Sequence, residues 1–346
     1  MSIFSSPRFD YHEGVHVFSD EAAKLQCVIA VHSTHRGPAA GGVRIWSYED
    51  GEHAINDALN LARAMSYKNA MADLDHGGGK AVIMAPKGDY DREALFTAFG
   101  RAIQSLGGVY YTAEDVGVTP QDMDIIHRQT AYVAGLDHGE AASGDPSPVT
   151  AKGVFLCQKL AAKIALGRSD MKGLRVAIQG LGSVGYYLAQ NLHQAGAELI
   201  VTDIDQAVID KAIEEFGVKY VAPDIIHKQD VDIYAPCALG GAVNPETIKD
   251  ISAPIIAGAA NNQLTSQDMG ALLQQKGILY CPDYVINAGG IINVAAEISG
   301  TYDPVWIENK LDTLTDTLGE IIAQSQKTHN PTNVIADHMA KGRIGR

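Results

Sequence analysis

After residue 172 the chain alternates short apolar runs with helical spacing, and inside the first alternation lies Gly180-Leu181-Gly182-Ser183-Val184-Gly185. The preceding Leu174-Arg175-Val176-Ala177-Ile178-Gln179 reads as a strand. Val184, Leu188 and Leu192 then line one face of a helix, and Leu199-Ile200-Val201-Thr202 reads as the next strand. Strand–helix–strand alternation implies a parallel sheet, because parallel neighbours need a crossover connection. Further strands are expected at 232–235, 255–257 and 278–280, and a long helix over 307–322. The expected fold class is therefore α/β, with a doubly wound sheet in the second half.

A GxGxxG alone is weak, since glycines recur in turns; a plain βα turn with Asp203 as a cap would also produce it. Here the motif has a strand before it, a helix after it, and a second strand ending in an acid. Asp203 lies 23 residues past Gly180, where a carboxylate can bind the hydroxyls of an adenosine ribose. Gly180 permits the tight turn, Gly182 lets a pyrophosphate approach, and Gly185 lets helix and strand pack closely. The helix N-terminus, with Leu181, Ser183 and Val184 around it, offers amide donors and a positive dipole end to phosphates. Asp203 would repel a 2′-phosphate and no arginine follows it closely, so NAD is expected rather than NADP. Three polar or glycine-rich segments fall at later strand ends, around Cys237 and Ala238, around Asn261 and Asn262, and at Asn287-Ala288-Gly289-Gly290. Each could be an ordinary loop; together they point to one shared cleft.

The chain has 346 residues, enough for two domains. Its composition, 46% hydrophobic and 20% charged, is that of an ordinary globular protein. A formal net charge of −14 argues against nucleic acid or an anionic membrane as partner, since both reward a basic surface. Cys27, Cys157, Cys237 and Cys281 are widely spaced and form no CxxC metal or redox pattern, so no metal site is expected. Their apolar or small-residue surroundings suggest buried thiols in a reducing compartment. No basic start followed by an apolar core suggests a signal peptide, and no apolar stretch is long enough to span a membrane. The cytoplasm is the expected location.

The first ~140 residues read as mixed strands and helices. Residues 27–31 suit a buried strand. Apolar positions 55, 58, 59, 62 and 65 mark an amphipathic helix that is expected to end just before Lys68. A helix is expected over 92–103 and a strand over 109–112. Thr119-Pro120 starts a further helix, with threonine as cap and proline at the first helical position. The break at Ser143-Gly144-Asp145-Pro146-Ser147-Pro148 divides the chain into a first domain, 1–140, and a dinucleotide domain, 141–330. A last helix, about 331–346, is expected to pack back on the first domain.

Lys80 follows Gly77-Gly78-Gly79 and precedes the strand-like Ala81-Val82-Ile83-Met84. That pattern reads as a glycine-walled junction from loop to strand, from which a lysine can reach into a cleft. Lys68, twelve residues earlier, would lower the pKa of Lys80 if it came near, and a lysine so tuned can act as a general acid or base. Two solvated surface lysines are the plain alternative.

A series of motifs runs nearly end to end: Gly37-Pro38-Ala39-Ala40-Gly41-Gly42, Tyr67-Lys68-Asn69, Gly77-Gly78-Gly79-Lys80, Thr112-Ala113-Glu114-Asp115-Val116-Gly117, Ser147-Pro148-Val149-Thr150, the GxGxxG, and 282–290. With these the chain resembles the glutamate/leucine/phenylalanine/valine amino-acid dehydrogenases, most of all the leucine dehydrogenase branch. The resemblance implies an N-terminal α/β substrate and oligomerisation domain, a Rossmann NAD-binding domain and a cleft between them. It implies NAD-dependent oxidative deamination of an L-amino acid to a 2-oxo acid and ammonia, by a homo-oligomer (dimer or octamer). By the same resemblance Lys68 holds the substrate carboxylate, with the backbone of Gly41 and Gly42 closing the pocket. Lys80 is the acid/base that activates water, Asp115 passes protons to and from the amino group, and Asn262 orients the amine. Thr150, Asn261 and Asn287 line the nicotinamide side.

Where glutamate enzymes carry a lysine near the Gly37–Gly42 loop, this chain has Ala40, so an apolar side chain is expected. Leucine-type members usually have leucine at Ala40, and the smaller residue resembles some phenylalanine enzymes; Ala113-Glu114 looks leucine- or valine-type. Ile291 and Val294, three apart on an expected helix, would wall the side-chain pocket, with Met65. The expected substrates are leucine, valine or isoleucine, with phenylalanine or tryptophan as the alternative. A catalytically silent NAD-binding regulator would be expected to lack Lys68, Lys80 or Asp115, and all three are present.

Overall fold

A computed structural model describes residues 3–136, 138, 142–300 and 302–346. The chain divides into two compact units: 1–145 with 291–307 and 340–346, and 146–290 with 308–339.

In the first unit the order is β1 (Gly14–Asp20), β2 (Leu25–Ser33), β3 (Ala39–Trp46), α1 (Gly51–Met71), β4 (Gly77–Met84), α2 (Arg92–Ser105), β5 (Tyr110–Glu114) and α3 (Pro120–His127). Among the described residues the strands form one mixed sheet, ordered β1-β2-β4-β3-β5. The β1–β2 and β2–β4 pairs are antiparallel, and β3 lies parallel to both β4 and β5. Side-chain alternation sorts the sheet into two faces. Cys27, Ile29, Val31, Val43, Ile45, Ala81 and Ile83 pack with Leu95, Phe96 and Phe99 of α2 and Met123 and Ile126 of α3. Val28, Ala30 and Val82 pack with Ala54, Ala58, Leu59 and Ala62 of α1. Lys80, two residues from Val82, and Arg44, between Val43 and Ile45, therefore belong to the α1 face.

The expected cap at Thr119 is present: its hydroxyl accepts from Asp122 N–H, and the Asp122 carboxylate accepts from Thr119 N–H, a capping box.

Three local expectations are corrected. Gly77-Gly78-Gly79 is not a loop but the start of β4. Gly41 and Gly42 likewise lie within a strand, β3. The 55–65 helix does not stop before Lys68: α1 runs to Met71, placing Lys68 in its last turn. Ala70 and Met71 are fully buried, which carries the helix beyond the last position of the apolar spacing.

The second unit holds α4 (Ser147–Leu166), β6 (Arg175–Gln179), α5 (Ser183–Gln194), β7 (Glu198–Thr202), α6 (Gln206–Phe216), β8 (Lys219–Tyr220), β9 (Ile233–Pro236), α7 (Thr247–Asp250), β10 (Ile255–Ile256), α8 (Asp268–Gln275), β11 (Leu279–Tyr280) and α9 (Asp283–Ile286). Its described strands are all parallel, in the order β11-β10-β9-β6-β7-β8. Counted from β6 this is the 3-2-1-4-5-6 order of the Rossmann fold, with the reversal between β6 and β9.

Three helices complete the chain: α10 (Gly289–Ile298), α11 (Pro304–Thr328) and α12 (Thr332–Arg343). Residues 291–307, expected in the second domain, group with the first unit. The last helix differs in the opposite sense: through Met339 it belongs to the second unit, and only Ala340–Arg346 joins the first. Among the described residues no helix is long and apolar enough to cross a membrane.

Candidate functional site

Lys80 is only 5% exposed, and its Nζ lies 2.9 Å from Asp115 Oδ2. The glycines before it explain how a lysine enters so crowded a place. A Cβ on Gly77 would stand 1.9 Å from Ser33 O, one on Gly78 2.0 Å from Ser66 N of α1, and one on Gly79 2.8 Å from the Tyr110 ring. The run has no side chains because helix, neighbouring strands and ring close directly on its backbone.

Burial pushes the Lys80 ammonium below its usual pKa; Asp115 works against this, and the Arg44 guanidinium adds to the depression. The expected cause, Lys68, is not the one the structure supplies. At Asp115 burial acts to raise the carboxyl, but Lys80 and Arg44 outweigh it and hold the pKa below the usual carboxylate range.

Arg44, Asp57 and Tyr48 were not singled out from the sequence, and they extend this pair. Arg44 Nε lies 3.1 Å from Asp115 Oδ2, and its Nη1 3.1 Å from Asp57 Oδ2, which also accepts the Tyr48 hydroxyl at 2.6 Å. The available signal was a charged residue inside the apolar run Val43-Arg44-Ile45, directly after a double glycine.

Lys68, half-buried, and its neighbour Asn69 lie on the same helix. Asn69 is fully buried and its amide donates to Ala40 O at 3.2 Å and Gly77 O at 2.5 Å. It pins the helix turn carrying Lys68 to the two strands that carry Gly41 and Lys80. A Cβ on Gly41 would stand 3.0 Å from Met65 Cγ, and one on Gly42 2.8 Å from Asp115 Cβ. Lys68, Lys80, Asp115, Ala40, Gly41, Gly42, Met65 and Ala113 thus all belong to the first unit, and so do Ile291 and Val294 of α10. Ala40 and Ala113 are buried at 1% and 6% exposure, and Ile291 is buried while Val294 is half-buried.

In the second unit the glycine motif has the geometry its spacing demands. Gly180 has φ +102°, and a Cβ there would stand 2.8 Å from Ala238 N. A Cβ on Gly185 would stand 2.0 Å from Gly180 O, so helix and strand touch through it. A Cβ on Gly182 would meet nothing within 4 Å. The side chain is missing there although the protein leaves room for it, so the backbone is open to a closely approaching ligand. Gly182 caps α5 without any side-chain hydrogen bond, leaving the first-turn amides to an external acceptor. Asp203 Oδ2 accepts from Leu181 N–H at 2.5 Å, and its Oδ1 from Ile204 and Asp205 N–H, which fixes the acid beside the motif.

The loops after β9 and β10 are bound together: Gly241 N–H donates to Asn262 O at 2.8 Å. Asn262 itself has φ +53°, in the left-handed region, and Asp283 Oδ2 accepts from Gln263 N–H beside it at 2.8 Å. Asn287 donates through Nδ2 to Ala259 O at 3.0 Å and Asn261 Oδ1 at 2.8 Å. Its own Oδ1 is buried without a partner, an acceptor suited to an amide donor of a ligand. Gly289 and Gly290 open α10; a Cβ on Gly289 would stand 2.4 Å from Val149 O, and one on Gly290 3.0 Å from Thr150 Oγ1. Cys27, Cys157 and Cys281 are buried free thiols, and Cys237 is a half-buried one. Among the described residues no group of three or more His, Cys, Asp or Glu side chains could hold a metal ion.

The profile "Glu/Leu/Phe/Val dehydrogenase, dimerisation domain" matches residues 11–132, and "Glutamate/Leucine/Phenylalanine/Valine dehydrogenase" matches 143–212 and 203–340. Leucine dehydrogenase of Bacillus subtilis (strain 168) is 49% identical over 339 residues, covering 98% of this chain and 93% of that one. Valine dehydrogenase of Streptomyces virginiae is 40% identical over 336 residues, covering 96% and 94%. The crystal structure of L-tryptophan dehydrogenase from Nostoc punctiforme superposes with a TM-score of 0.85 at 42% identity, covering 96% of each chain. With both profiles matched in sequence order and such identities across nearly the whole length, the chain belongs to the Glu/Leu/Phe/Val dehydrogenase family.

Proposed function

We propose that the protein catalyses NAD-dependent oxidative deamination of an aliphatic L-amino acid, of the leucine, valine or isoleucine type, to the 2-oxo acid and ammonium. The observation that carries this reading is the buried Lys80 Nζ, 2.9 Å from Asp115 and with its pKa depressed. A general base is more effective the closer its pKa is brought to working pH, and burial lowers that of Lys80 in this direction.

NAD would be held by Gly180, Leu181, Gly182, Ser183, Val184 and Gly185, with Asp203 on the ribose and Thr150, Cys237, Ala238, Asn261 and Asn287 toward the nicotinamide; when bound, it supplies the hydride acceptor. The open space at Gly182 and the unpartnered Asn287 Oδ1 support the fit. Lys68 binds the substrate carboxylate with the backbone at Gly41 and Gly42. Asp115 takes a proton from the substrate ammonium so that the Cα hydrogen can leave with its electron pair, giving an iminium. Lys80 takes a proton from water as the oxygen attacks the iminium carbon, giving a carbinolamine. Return of a proton to nitrogen, with Asn262 orienting it, and loss of the hydroxyl proton to solvent let the C–N bond break and the carbonyl form, and the released ammonia takes up a proton. The balance is amino acid, NAD⁺ and water to 2-oxo acid, ammonium, NADH and a proton.

Ala40, Met65, Ala113, Ile291 and Val294 form the side-chain pocket in this reading. The relatives named leucine and valine dehydrogenase favour an aliphatic occupant. A second reading, an aromatic substrate, is favoured by the small Ala40 and by the likeness to L-tryptophan dehydrogenase. The match to a dimerisation-domain profile supports a homo-oligomer, dimer or octamer, and the pattern of free cysteines supports a cytoplasmic location.

The test is NADH formation across a pH series with leucine, valine, isoleucine, phenylalanine, tryptophan and glutamate. Leucine, valine or isoleucine is expected to turn over best, with kcat/KM rising with pH through a base below the ordinary lysine range. Turnover confined to phenylalanine or tryptophan would select the second reading, and no turnover with any of them would refute both.

A further inference from the structure

Two cations meet one oxygen of Asp115. Lys80 Nζ approaches Oδ2 at 2.9 Å from β4, and Arg44 Nε approaches the same atom at 3.1 Å from β3. Arg44 is held from behind, because its Nη1 reaches Asp57 Oδ2 on α1 at 3.1 Å and that oxygen takes the Tyr48 hydroxyl at 2.6 Å. Nε and Nη1 are fixed relative to each other by the planar guanidinium, so a carboxylate set on one edge of the fork determines the position of the other.

We propose that Arg44, braced by Asp57 and Tyr48, is the positioning residue that holds Asp115 Oδ2 against Lys80 and leaves Oδ1 for the substrate nitrogen. The inference rests on the reading of Lys80 and Asp115 as the acid–base pair.

Geometry and charge both require such a residue. Asp115 lies just past the end of β5, where the backbone is held by Val118 N–H on Asp115 O at 3.1 Å and by Ile45 N–H of β3 on Val116 O at 3.0 Å, but the side chain projects beyond the last strand residue. Its side chain is 25% exposed, so water competes for it, whereas Lys80 is 6% exposed and bound to a central strand. Without Arg44 the carboxylate would keep only Lys80 and the adjacent Val116 N–H, and no donor from β3 would set Oδ2 against Lys80. The charged and titratable groups facing Arg44 are Asp115 beyond β5, Asp57 on α1 and Tyr48 in the β3–α1 connection; those facing Lys80 are Asp115, Arg44 and Asp57. Two cations and two carboxylates balance, so loss of Arg44 leaves an excess negative charge beside Lys80. That excess favours the ammonium form of Lys80, the unreactive form of a base.

The test compares wild type, Arg44→Ala, Arg44→Lys and Tyr48→Phe in the intact protein. Wild-type turnover is read first in the same assay; its absence would overturn the acid–base reading and this proposal with it. In Arg44→Ala, kcat/KM for the amino acid is expected to fall on the order of 10²-fold, the cost of a reacting group misplaced by about an ångström. The acid limb of the pH profile should move to higher pH, NAD affinity should be unchanged, and added guanidinium ion should restore part of the rate. Arg44→Lys keeps the charge without the fork, so the acid limb should stay while kcat falls. A fall in activity with neither a moved acid limb nor guanidinium rescue would mean a purely structural role and overturn the proposal. Should Arg44→Ala not fold, Arg44→Lys and Tyr48→Phe decide it: reduced kcat in both supports the brace, and wild-type kcat in both refutes it.

Discussion

Arginine cannot accept a hydrogen bond, so the 2.8 Å contact of Arg346 Nη1 with His32 Nε2 fixes the state of that ring. Nε2 must be the acceptor, so the proton sits on Nδ1 and is donated to Ser66 Oγ at 2.8 Å. The 3.5 Å approach of Asp10 Oδ2 to the same Nε2 is therefore not an ion pair. Burial first, then Arg346 and His12, push His32 from 6.5 to about 3, with Asp10 opposing. The sign follows: His32 is neutral in the folded state and protonates near 6.5 once unfolded, so its contribution is complete above pH 6.5 and is lost as pH falls toward about 3. Thermal midpoints measured across that interval should decline in the wild type and decline less in His32→Gln. Parallel curves would show that acid sensitivity resides elsewhere. Nothing in the sequence marked this cluster, because Arg346 and His32 are 314 positions apart and neither lies in a motif.

At the scale of elements, the same glycine run was visible in the sequence and misread in its cause. Three consecutive glycines suggest turn chemistry, yet none of Gly77, Gly78 and Gly79 adopts a positive φ. They are glycines because β2, α1 and Tyr110 lie where their side chains would be, and such closeness is a property of the folded neighbours. The end of α1 escaped the apolar spacing for a similar reason: Ser66, Tyr67 and Asn69 are buried by contact with strands and loops, so polar residues continue a buried face. Thr119-Pro120 and the GxGxxG were legible because capping and phosphate-type loops are set by residues adjacent in sequence. The contrast gives a paired prediction. In Gly78→Ala the new Cβ meets backbone at Ser66, which cannot swing aside. A loss on the order of 1–3 kcal/mol is expected from such overpacking, with a raised KM for the amino acid because Lys68 follows two residues on. Gly51→Ala, whose Cβ meets nothing within 4 Å, should leave stability unchanged or slightly higher. Equal denaturant midpoints for the two variants would show that the close approach has no energetic consequence.

At the scale of the whole molecule, the alternation after residue 172 disclosed a Rossmann unit, because a parallel sheet is written as consecutive strand–helix units. The composition of the first unit was less legible, since 291–307 return to it from far along the chain, a grouping set by tertiary packing. That return places Ile291 and Val294 in the same unit as Lys68, Lys80 and Asp115, while Gly180, Gly182, Gly185 and Asp203 belong to the other. In the proposed reading amino-acid chemistry and dinucleotide binding rest on separate cores, and damage to one should be thermodynamically nearly silent in the other. Lys80→Ala should abolish turnover and leave the NAD dissociation constant, read by calorimetry, within about twofold of wild type. Asp203→Ser should do the reverse, weakening NAD and its preference over NADP while the pH dependence of the remaining rate, governed by Lys80, keeps its acid limb. The pair of variants forms a cross test. If Lys80→Ala weakened NAD as strongly as Asp203→Ser does, the two units could not be binding independently, and the division of labour inferred from their separate cores would fail.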